Sequence, residues 1–430
     1  MLDQKIKTNQ AKVGVIGLGY VGLPLVLHFA KKGFKSIGFD IKESRVLLVN
    51  QGKSYIRDAD EQELYKVIKA KKLTATQNLT RLAECDIIQI CVPTPVNPNK
   101  EPDVSYIVDT SNSILKTLRK GQLIILKSTT FPETTQKIVL PILAKSGLKV
   151  GKDFYLAFSP ERIDPGNKKF TIGNTPTVVG GITSKCTELA FLLYKTVGCK
   201  VISVSSASAA EMAKLLENTF RNVNIALVNE LAQLCERMGI NIWEVIVAAS
   251  SKPFGYMPFY PGPGVGGHCI PIDPYYLSWK AREYDFHTSF IELSARINDN
   301  MPYYVVDQVI EAISRYGVCP SKSTVLVLGV AFKKDVEDLR DSPSLKLLGL
   351  LLRKVGKIYY NDPYVRSIEL NNRKYKSVPL TKIREVDCVV IATDHSVYDY
   401  KKIVRQSKLV IDTRGATTHI QGGNIVLLGS

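Results

Sequence analysis

Val13-Gly14-Val15-Ile16-Gly17-Leu18-Gly19-Tyr20-Val21-Gly22-Leu23-Pro24 is an apolar run that breaks into a glycine-rich turn and then into a helical pattern. In a parallel α/β sheet the first glycine of such a turn makes the tight bend. The second lets backbone approach a pyrophosphate, and the third lets helix and strand pack closely. The phosphate then lies on the amino terminus of the helix, where free N–H groups and the dipole favour an anion. A purely structural turn fits the same three glycines, so the surroundings decide. Asp40 ends the next apolar run, 23 residues after Gly17. A carboxylate there accepts hydrogen bonds from ribose hydroxyls and repels a 2′-phosphate, which selects NAD over NADP. The cofactor candidates are therefore Gly17, Gly19, Tyr20, Val21, Gly22 and Asp40, with Arg45 beside the adenosine ribose.

The pattern continues on both sides of Asp40. Lys35–Phe39, Asp86–Val92 and Leu123–Leu126 are further apolar runs separated by helical stretches. Continuous apolar strands alternating with helices predict a parallel sheet covered on both faces. Ligands bind beyond the carboxyl ends of such strands. Pro93 and Thr94 follow one strand; Lys127, Ser128 and Thr129 follow another. Their hydroxyls and N–H groups suit the nicotinamide end of the cofactor or a held water; a plain strand-end cap is the alternative.

Ser208 to Gly239 contains no proline or glycine before Gly239. Ser208-x-x-Glu211 reads as a capping box and Gly239 as the stop. About thirty residues of helix, roughly 45 Å, make a spine between domains. Ala226, Leu227, Leu231, Leu234 and Met238 give it an apolar face suited to a homodimer, or a higher homo-oligomer. Residues 251–274 form a long loop of proline, glycine and aromatics, the kind that is functional or disordered; its aromatics favour order. Beyond residue 320 the alternation resumes at Thr324–Gly329, Ile358–Tyr360, Cys388–Ala392 and Leu409–Asp412. The expected architecture is two Rossmann-like, doubly wound parallel-sheet domains joined by a long central helix and a helical linker. The boundaries fall at 1–206, 207–318 and 319–430.

The 430 residues carry 57 Lys+Arg against 40 Asp+Glu, a net charge of +17, with 45% apolar and 23% charged residues. This composition is globular and excludes a disordered chain. The basic residues are scattered in pairs such as Lys31-Lys32 and Lys333-Lys334, with no basic arm and no nucleic-acid motif, so a small polyanionic substrate is preferred to nucleic acid. No run of about 18 apolar residues predicts a membrane span. The polar start MLDQKIKTNQAK lacks the apolar stretch of a secretory signal, so the cytoplasm is expected. The eight cysteines show no C-x₂-C spacing, and no metal site is expected.

Cys269 differs from the other seven cysteines. It lies in Gly264-Val265-Gly266-Gly267-His268-Cys269-Ile270-Pro271-Ile272-Asp273-Pro274, where the glycines leave a thiol accessible. An accessible thiol near cations is a candidate nucleophile. His268 is a weaker candidate base, because adjacent side chains diverge. Lys214 and Asn218, four residues apart, share one helix face; they point at a ligand or at solvent. Glu161 and Arg162 follow a strand, as a site or as a surface pair. Lys333 and Arg340 follow the first strand of the last domain and suit the phosphates of a second nucleotide.

Gly17-x-Gly19-Tyr20-Val21-Gly22-Leu23-Pro24, Ser159-Pro160-Glu161-Arg162, Lys214-x₃-Asn218, Gly266-Gly267-x-Cys269-x₃-Asp273 and Phe332-Lys333-x₄-Asp338-x-Arg340 occur in the order seen in the UDP-glucose/GDP-mannose dehydrogenase family. Over nearly its whole length the chain resembles that family. The stretch around Lys252-Pro253-Phe254-Gly255-Tyr256 and Cys269–Pro274 looks most like its UDP-N-acetylglucosamine 6-dehydrogenase branch, with the UDP-N-acetylmannosamine branch a neighbour. UDP-glucose enzymes typically carry lysine where Ile272 stands, which argues against UDP-glucose.

The resemblance implies oxidation of a UDP-N-acetylhexosamine at C6 to a uronate for polysaccharide synthesis, with two NAD per turnover. In it Asp273 and Lys214 organise a water, Lys214 and Asn218 steady an oxyanion, and Cys269 attacks an aldehyde. Glu161 and Thr129 serve thioester hydrolysis. It implies that Glu161, Arg162, Lys214, Asn218, Tyr260, Gly266, Lys333 and Arg414 hold substrate, and that Arg340 reaches the cofactor. The site is expected in the cleft between the outer domains. No arginine precedes the cysteine loop where some relatives offer one to the partner subunit; Lys252 is near that place. The competing readings are the same chemistry on UDP-N-acetylmannosamine or UDP-glucose, a two-electron dehydrogenase that ignores Cys269, and a nucleotide-sensing module that kept the fold.

Overall fold

A computed structural model describes residues 1–430 except 57, 98, 163–169, 171–172 and 268. The chain folds into two compact units, Met1–Glu217 with Tyr275–Phe286, and Asn218–Pro274 with His287–Ser430.

The first unit is built on eight strands among the described residues: β1 (Val13–Ile16), β2 (Ser36–Phe39), β3 (Leu73–Thr76), β4 (Ile87–Ile90), β5 (Leu123–Leu126), β6 (Tyr155–Phe158), β7 (Thr177–Gly181) and β8 (Val201–Ser203). Their order is 3-2-1-4-5-6-7-8. Strands β1 to β6 are parallel; β7 runs antiparallel to β6, and β8 parallel to β7. The order reverses between β1 and β4, which opens a crevice at their carboxyl ends. Alternate residues serve opposite faces, as the strand period requires. Val13, Val15, Ile87, Leu123 and Ile125 enter one core with Leu25, Val26, Phe29 and Tyr194. Ile16, Ile88, Ile90, Ile124 and Leu126 enter the other with Ile107, Val139 and Leu143.

The second unit repeats the plan with β9 (Thr324–Leu328), β10 (Lys357–Asn361), β13 (Cys388–Ile391), β14 (Val410–Asp412) and β15 (Ile425–Leu427), in the order 10-9-13-14-15 and all parallel. A separate hairpin, β11 (Ser367–Leu370) with β12 (Arg373–Lys376), turns at Asn371 and Asn372, both with positive φ. Asparagine tolerates that conformation. Val325 and Val327 face one core, Leu326 and Leu328 the other.

The expected long helix spans Ala207–Met238. It ends at Gly239, whose φ of 68° stops the helix by adopting the left-handed conformation that glycine takes without strain. Its start corrects the capping-box expectation. Ser206, not Ser208, caps it, accepting from Ala209 N–H at 3.1 Å. Glu211 does not fold back on the helix. It accepts instead from Glu133 N, Thr135 N and Thr135 Oγ1, at 2.6, 2.9 and 2.6 Å. Of the apolar face expected for a partner, Ala226 is buried, whereas Leu227, Leu231, Leu234 and Met238 are exposed. Among the described residues no helix is long and apolar enough to cross a membrane.

Candidate active site

The glycine turn of the first unit has the geometry that its spacing predicts. Gly17 sits at φ 90°, and a Cβ there would lie 2.5 Å from Cys91 O. A Cβ on Gly22 would lie 1.8 Å from Gly17 O, so only glycine lets the helix Gly22–Lys31 start here. Gly19 differs: a Cβ would meet nothing within 4 Å. Its bare backbone faces space rather than protein, as a bound pyrophosphate requires. Val21 stands at the position before the helix, without a side-chain cap, and Tyr20 is exposed.

Asp40 locks the turn. Its Oδ2 accepts from Leu18 N at 2.9 Å and from Arg45 Nη1 at 3.1 Å, and its Oδ1 accepts from Lys42 N at 2.9 Å. Arg45 also lies over the Tyr55 ring, whose hydroxyl donates to Leu18 O at 2.6 Å. The acid, the arginine and the turn predicted from sequence are thus one assembly. At the other side of the crevice Thr94 Oγ1 donates to Thr129 O, and Ser128 Oγ to Val92 O, each at 2.7 Å. The Tyr276 hydroxyl donates to Thr94 O. Pro93 is exposed and Thr129 half-buried. These groups fit a dinucleotide at the carboxyl ends of β1 and β4.

Glu161 and Arg162 follow β6. Arg162 forks onto Glu217, with Nη2 2.6 Å from Oε1, and its Nη1 donates to Pro176 O at 2.7 Å. Its guanidinium therefore ties the loop to the long helix. Glu211, one turn before Lys214, is fully buried, and burial pushes its carboxyl up to about 7 against the three donors that favour its anion. Lys214 is 9% exposed, and among the described residues its ammonium has neither a hydrogen-bond nor an ion-pair partner. A nearly buried cation without a partner is costly unless a ligand supplies the counter-charge.

In the second unit Asn218 Nδ2 donates to Asp273 Oδ2, and both side chains are buried. Asp273 N and Ile272 N donate to Cys269 O at 2.8 and 3.1 Å, which fixes the turn carrying the thiol. Cys269 is exposed, as the glycine-rich context predicts; Cys319 is the other exposed cysteine, which sequence did not single out. His268 lies outside the described residues.

Buried amides hold the two ends of the loop. Asn229 Oδ1 accepts from Gly262 N at 2.9 Å, and Asn222 Nδ2 donates to Ile270 O at 3.1 Å. Asn298 links them, accepting from Asn229 Nδ2 and donating to Asn222 O. Tyr260, half exposed, stacks on Trp243 at 6.1 Å.

The loop packs on the turn after β9. A Cβ on Gly266 would lie 2.7 Å from Phe332 Cβ and 2.6 Å from Pro343 Cδ, and Gly267 N donates to Arg340 O at 3.0 Å. Gly266 is therefore required by this packing. Arg340 forks onto Asp338, with Nη2 2.6 Å from Oδ2. The Arg414 guanidinium lies against Gly262 and donates from Nε to Asp394 at 3.3 Å; Lys334 is 3.8 Å from the same carboxylate. Lys333 is half-buried on the same turn. The second unit thus gathers Cys269, Asn218, Asp273, Tyr260, Gly266, Lys333, Arg340 and Arg414 around one loop. Sequence reasoning missed the three asparagines; polar residues recurring inside apolar helix patterns were their signal. No group of ligating side chains suited to a metal occurs among the described residues.

The sequence profiles of the UDP-glucose/GDP-mannose dehydrogenase family match three successive segments: its NAD binding domain residues 11–198, its central domain 208–300 and its UDP binding domain 326–419. The UDP-N-acetyl-D-glucosamine 6-dehydrogenase of Pseudomonas aeruginosa is 38% identical, over 90% of this chain and 91% of its own. The UDP-N-acetyl-D-mannosamine dehydrogenase of Pyrococcus horikoshii is 35% identical, over 94% of this chain and 95% of its own. The solved structure of a UDP-D-ManNAc dehydrogenase from Pyrococcus horikoshii superposes with a TM-score of 0.89 at 32% identity, covering 97% of this chain and 99% of that one. A UDP-glucose dehydrogenase structure from Pyrobaculum islandicum gives 0.86 at 26% identity, covering 96% of each chain. Profiles and relatives agree along the length of the sequence: the chain belongs to the UDP-glucose/GDP-mannose dehydrogenase family, and it is an NAD-dependent oxidoreductase.

Proposed function

We propose that this enzyme oxidises the C6 alcohol of a UDP-N-acetylhexosamine, UDP-N-acetylglucosamine first, to the uronate in one four-electron turnover. The observation that carries this reading is the exposed Cys269 on a turn fixed by its own carbonyl, four residues from an Asp273 that is paired to Asn218. A two-electron alcohol dehydrogenase has no use for a thiol.

Each of the two oxidations delivers a hydride from C6 to NAD⁺, the chemistry that the cofactor supplies when bound. The glycine turn, Asp40, Arg45, Thr94 and Ser128 hold it, and Asp40 favours NAD over NADP. In the first oxidation the C6 hydroxyl loses its proton to a water held by Asp273 and Lys214. Lys214, nearly buried and without a partner among the described residues, steadies the oxyanion together with Asn218. The Cys269 sulfur then adds to the aldehyde carbon, and the resulting thiohemiacetal is oxidised to a thioester. Water adds to the thioester carbonyl, its proton passes to Glu161, the C–S bond breaks and the thiolate leaves; Thr129 helps hold that water. Lys333, Arg414 and Tyr260 support the UDP moiety. The exposed Leu227, Leu231, Leu234 and Met238 pair with a second copy of the chain.

Endpoint turnover with limiting UDP-N-acetylglucosamine, UDP-N-acetylmannosamine or UDP-glucose tests this reading. About two NADH per sugar for the true substrate, lost in Cys269→Ser, is the outcome expected of nucleophilic catalysis. About one NADH, unaffected by that substitution, refutes it. The same panel decides between the two N-acetyl epimers, whose relatives match this chain comparably.

A further inference from the structure

Lys127 is a buried cation that the reaction as described does not use. It follows β5 directly, is 4% exposed, and turns its ammonium into the first unit. There Nζ donates to Ser159 O at 3.2 Å and lies 3.5 Å from Ser159 Oγ and 3.4 Å from the Tyr194 hydroxyl. It also sits over the Tyr194 ring, 5.1 Å from its centroid, and Tyr194 donates in turn to the buried Gln89 Oε1 at 3.0 Å. Lys127 and Glu161 line the same small cavity, with Arg162, Thr175, Tyr194 and Cys199.

Burying an ammonium is costly unless it is paired. Burial alone lowers the Lys127 pKa; Tyr194, Glu161 and Cys91 oppose it, and the net direction is upward. The cation therefore persists, and its position in the chain is specific. It stands two residues before Thr129, and its main hydrogen bond is to Ser159, two residues before Glu161. Its long side chain thus bridges the residues that follow β5 and β6.

We propose that Lys127 is the positioning residue of thioester hydrolysis: it ties the Thr129 turn to the Glu161 turn and keeps the Glu161 carboxylate in place as the base. The proposal rests on the thioester reading above. Lys127 touches neither the sulfur nor the water; it acts through Glu161. It affects the step in which the water O–C bond forms, the proton passes to Glu161 and the C–S bond breaks, and leaves both oxidations intact.

The test is rapid-quench turnover of wild type, Lys127→Met, Lys127→Arg and Tyr194→Phe, with whichever of the three UDP-sugars turns over. It reads NADH formed per active site and the fraction of chain carrying an acyl adduct by intact mass. Lys127→Met is expected to slow steady turnover roughly 100-fold, the scale of a general-base contribution. It keeps a first-turnover burst of about two NADH, and most of its cysteine accumulates as acyl-enzyme. Lys127→Arg recovers part of the rate, and Tyr194→Phe shows the same accumulation more weakly. Slow turnover without burst or adduct in a folded variant, or unchanged turnover, overturns the proposal. If Lys127→Met does not fold, Tyr194→Phe decides by the same adduct. Failure of the thioester reading itself has a different signature: wild type gives about one NADH and no adduct at any time, and the proposal falls with it.

Discussion

In the first unit Gly17 leaves β1 at φ 90° and its N–H donates to Phe39 O at 2.8 Å; in the second, Gly329 leaves β9 at φ 79° and donates to Asn361 O at 2.8 Å. A Cβ on either would lie 2.5 Å from a backbone oxygen of the neighbouring crossover segment, Cys91 O or Thr393 O. Each second strand ends near an aspartate that accepts from the first turn, Asp40 from Leu18 N and Asp362 from Val330 N. The plan is shared, but the two turns are completed differently. Among the described residues Asp40 has three donors, Leu18 N, Lys42 N and the half-exposed Arg45. Asp362 has five: Val330 N, Ala331 N, Tyr364 N, Val365 N and His395 Nε2. A carboxylate offers about four lone-pair sites. Asp362 is therefore saturated by protein, whereas Asp40 keeps capacity for a ribose. The turn after β9 also lacks a bare glycine such as Gly19, and Phe332 fills that region against Gly266 and Gly267. The same fold thus supports cofactor binding in one unit, while in the other it becomes a platform for the cysteine loop.

The strongest way to break this contrast is steric. Gly22→Val, with its Cβ driven into Gly17 O, is expected to weaken NAD⁺ binding by more than roughly 100-fold through overpacking, while UDP binding survives. Calorimetric titration of both ligands checks it; parallel loss of both would erase the division of labour. Next in size, His395→Leu removes a partner from Asp362 and from Asp335 N–H, which donates to Nδ1 at 2.9 Å. Asp362 keeps its four backbone donors, whereas the part-buried Asp335 N–H loses its acceptor, at a cost of about 1–3 kcal/mol. Denaturant unfolding is expected to show it, with NAD⁺ affinity unchanged in the folded enzyme. Asp40→Asn is the converse probe. It removes the charge facing Arg45, and NAD⁺ is expected to bind roughly tenfold more weakly, with less discrimination against NADP⁺, for the loss of about 1.5 kcal/mol of charged hydrogen bonding. Comparing both dinucleotides by fluorescence titration measures it.

A pH-dependent effect concerns Glu211, which anchors the segment after Thr129. Its folded pKa of about 7 lies above the ordinary 4.5, so the folded chain holds an extra proton between those values. Stability linked to this group is full below pH 4.5 and is lost as pH rises through 7. Glu211→Gln is expected to flatten that decline in unfolding midpoints measured across this window. An unchanged slope would show that another group carries the proton.

Much of this was legible in the sequence, because the deciding features were local. Three glycines, an acid at a fixed distance and apolar runs specify the first sheet and its crevice. Cys269 stood out by the glycines around it. What escaped was set by tertiary packing. The antiparallel β7 and the hairpin at Asn371-Asn372 carry weak patterns. The capping box at Ser208 failed because Glu211 found three better donors far away in sequence. Lys127, His395 and Asn229 are polar residues within or beside apolar runs, and only the folded chain reveals which partners make them tolerable.

The proposed reaction requires that carbon become bound to Cys269 between the two oxidations. Acid quenching during turnover, followed by mass analysis of the peptide containing Cys269, tests it most directly. An adduct with the mass of the acylated nucleotide sugar is expected on that peptide, abundant in Lys127→Met and absent from Cys269→Ser. A Cys269 that stays unmodified throughout turnover, in wild type and variant alike, would contradict it.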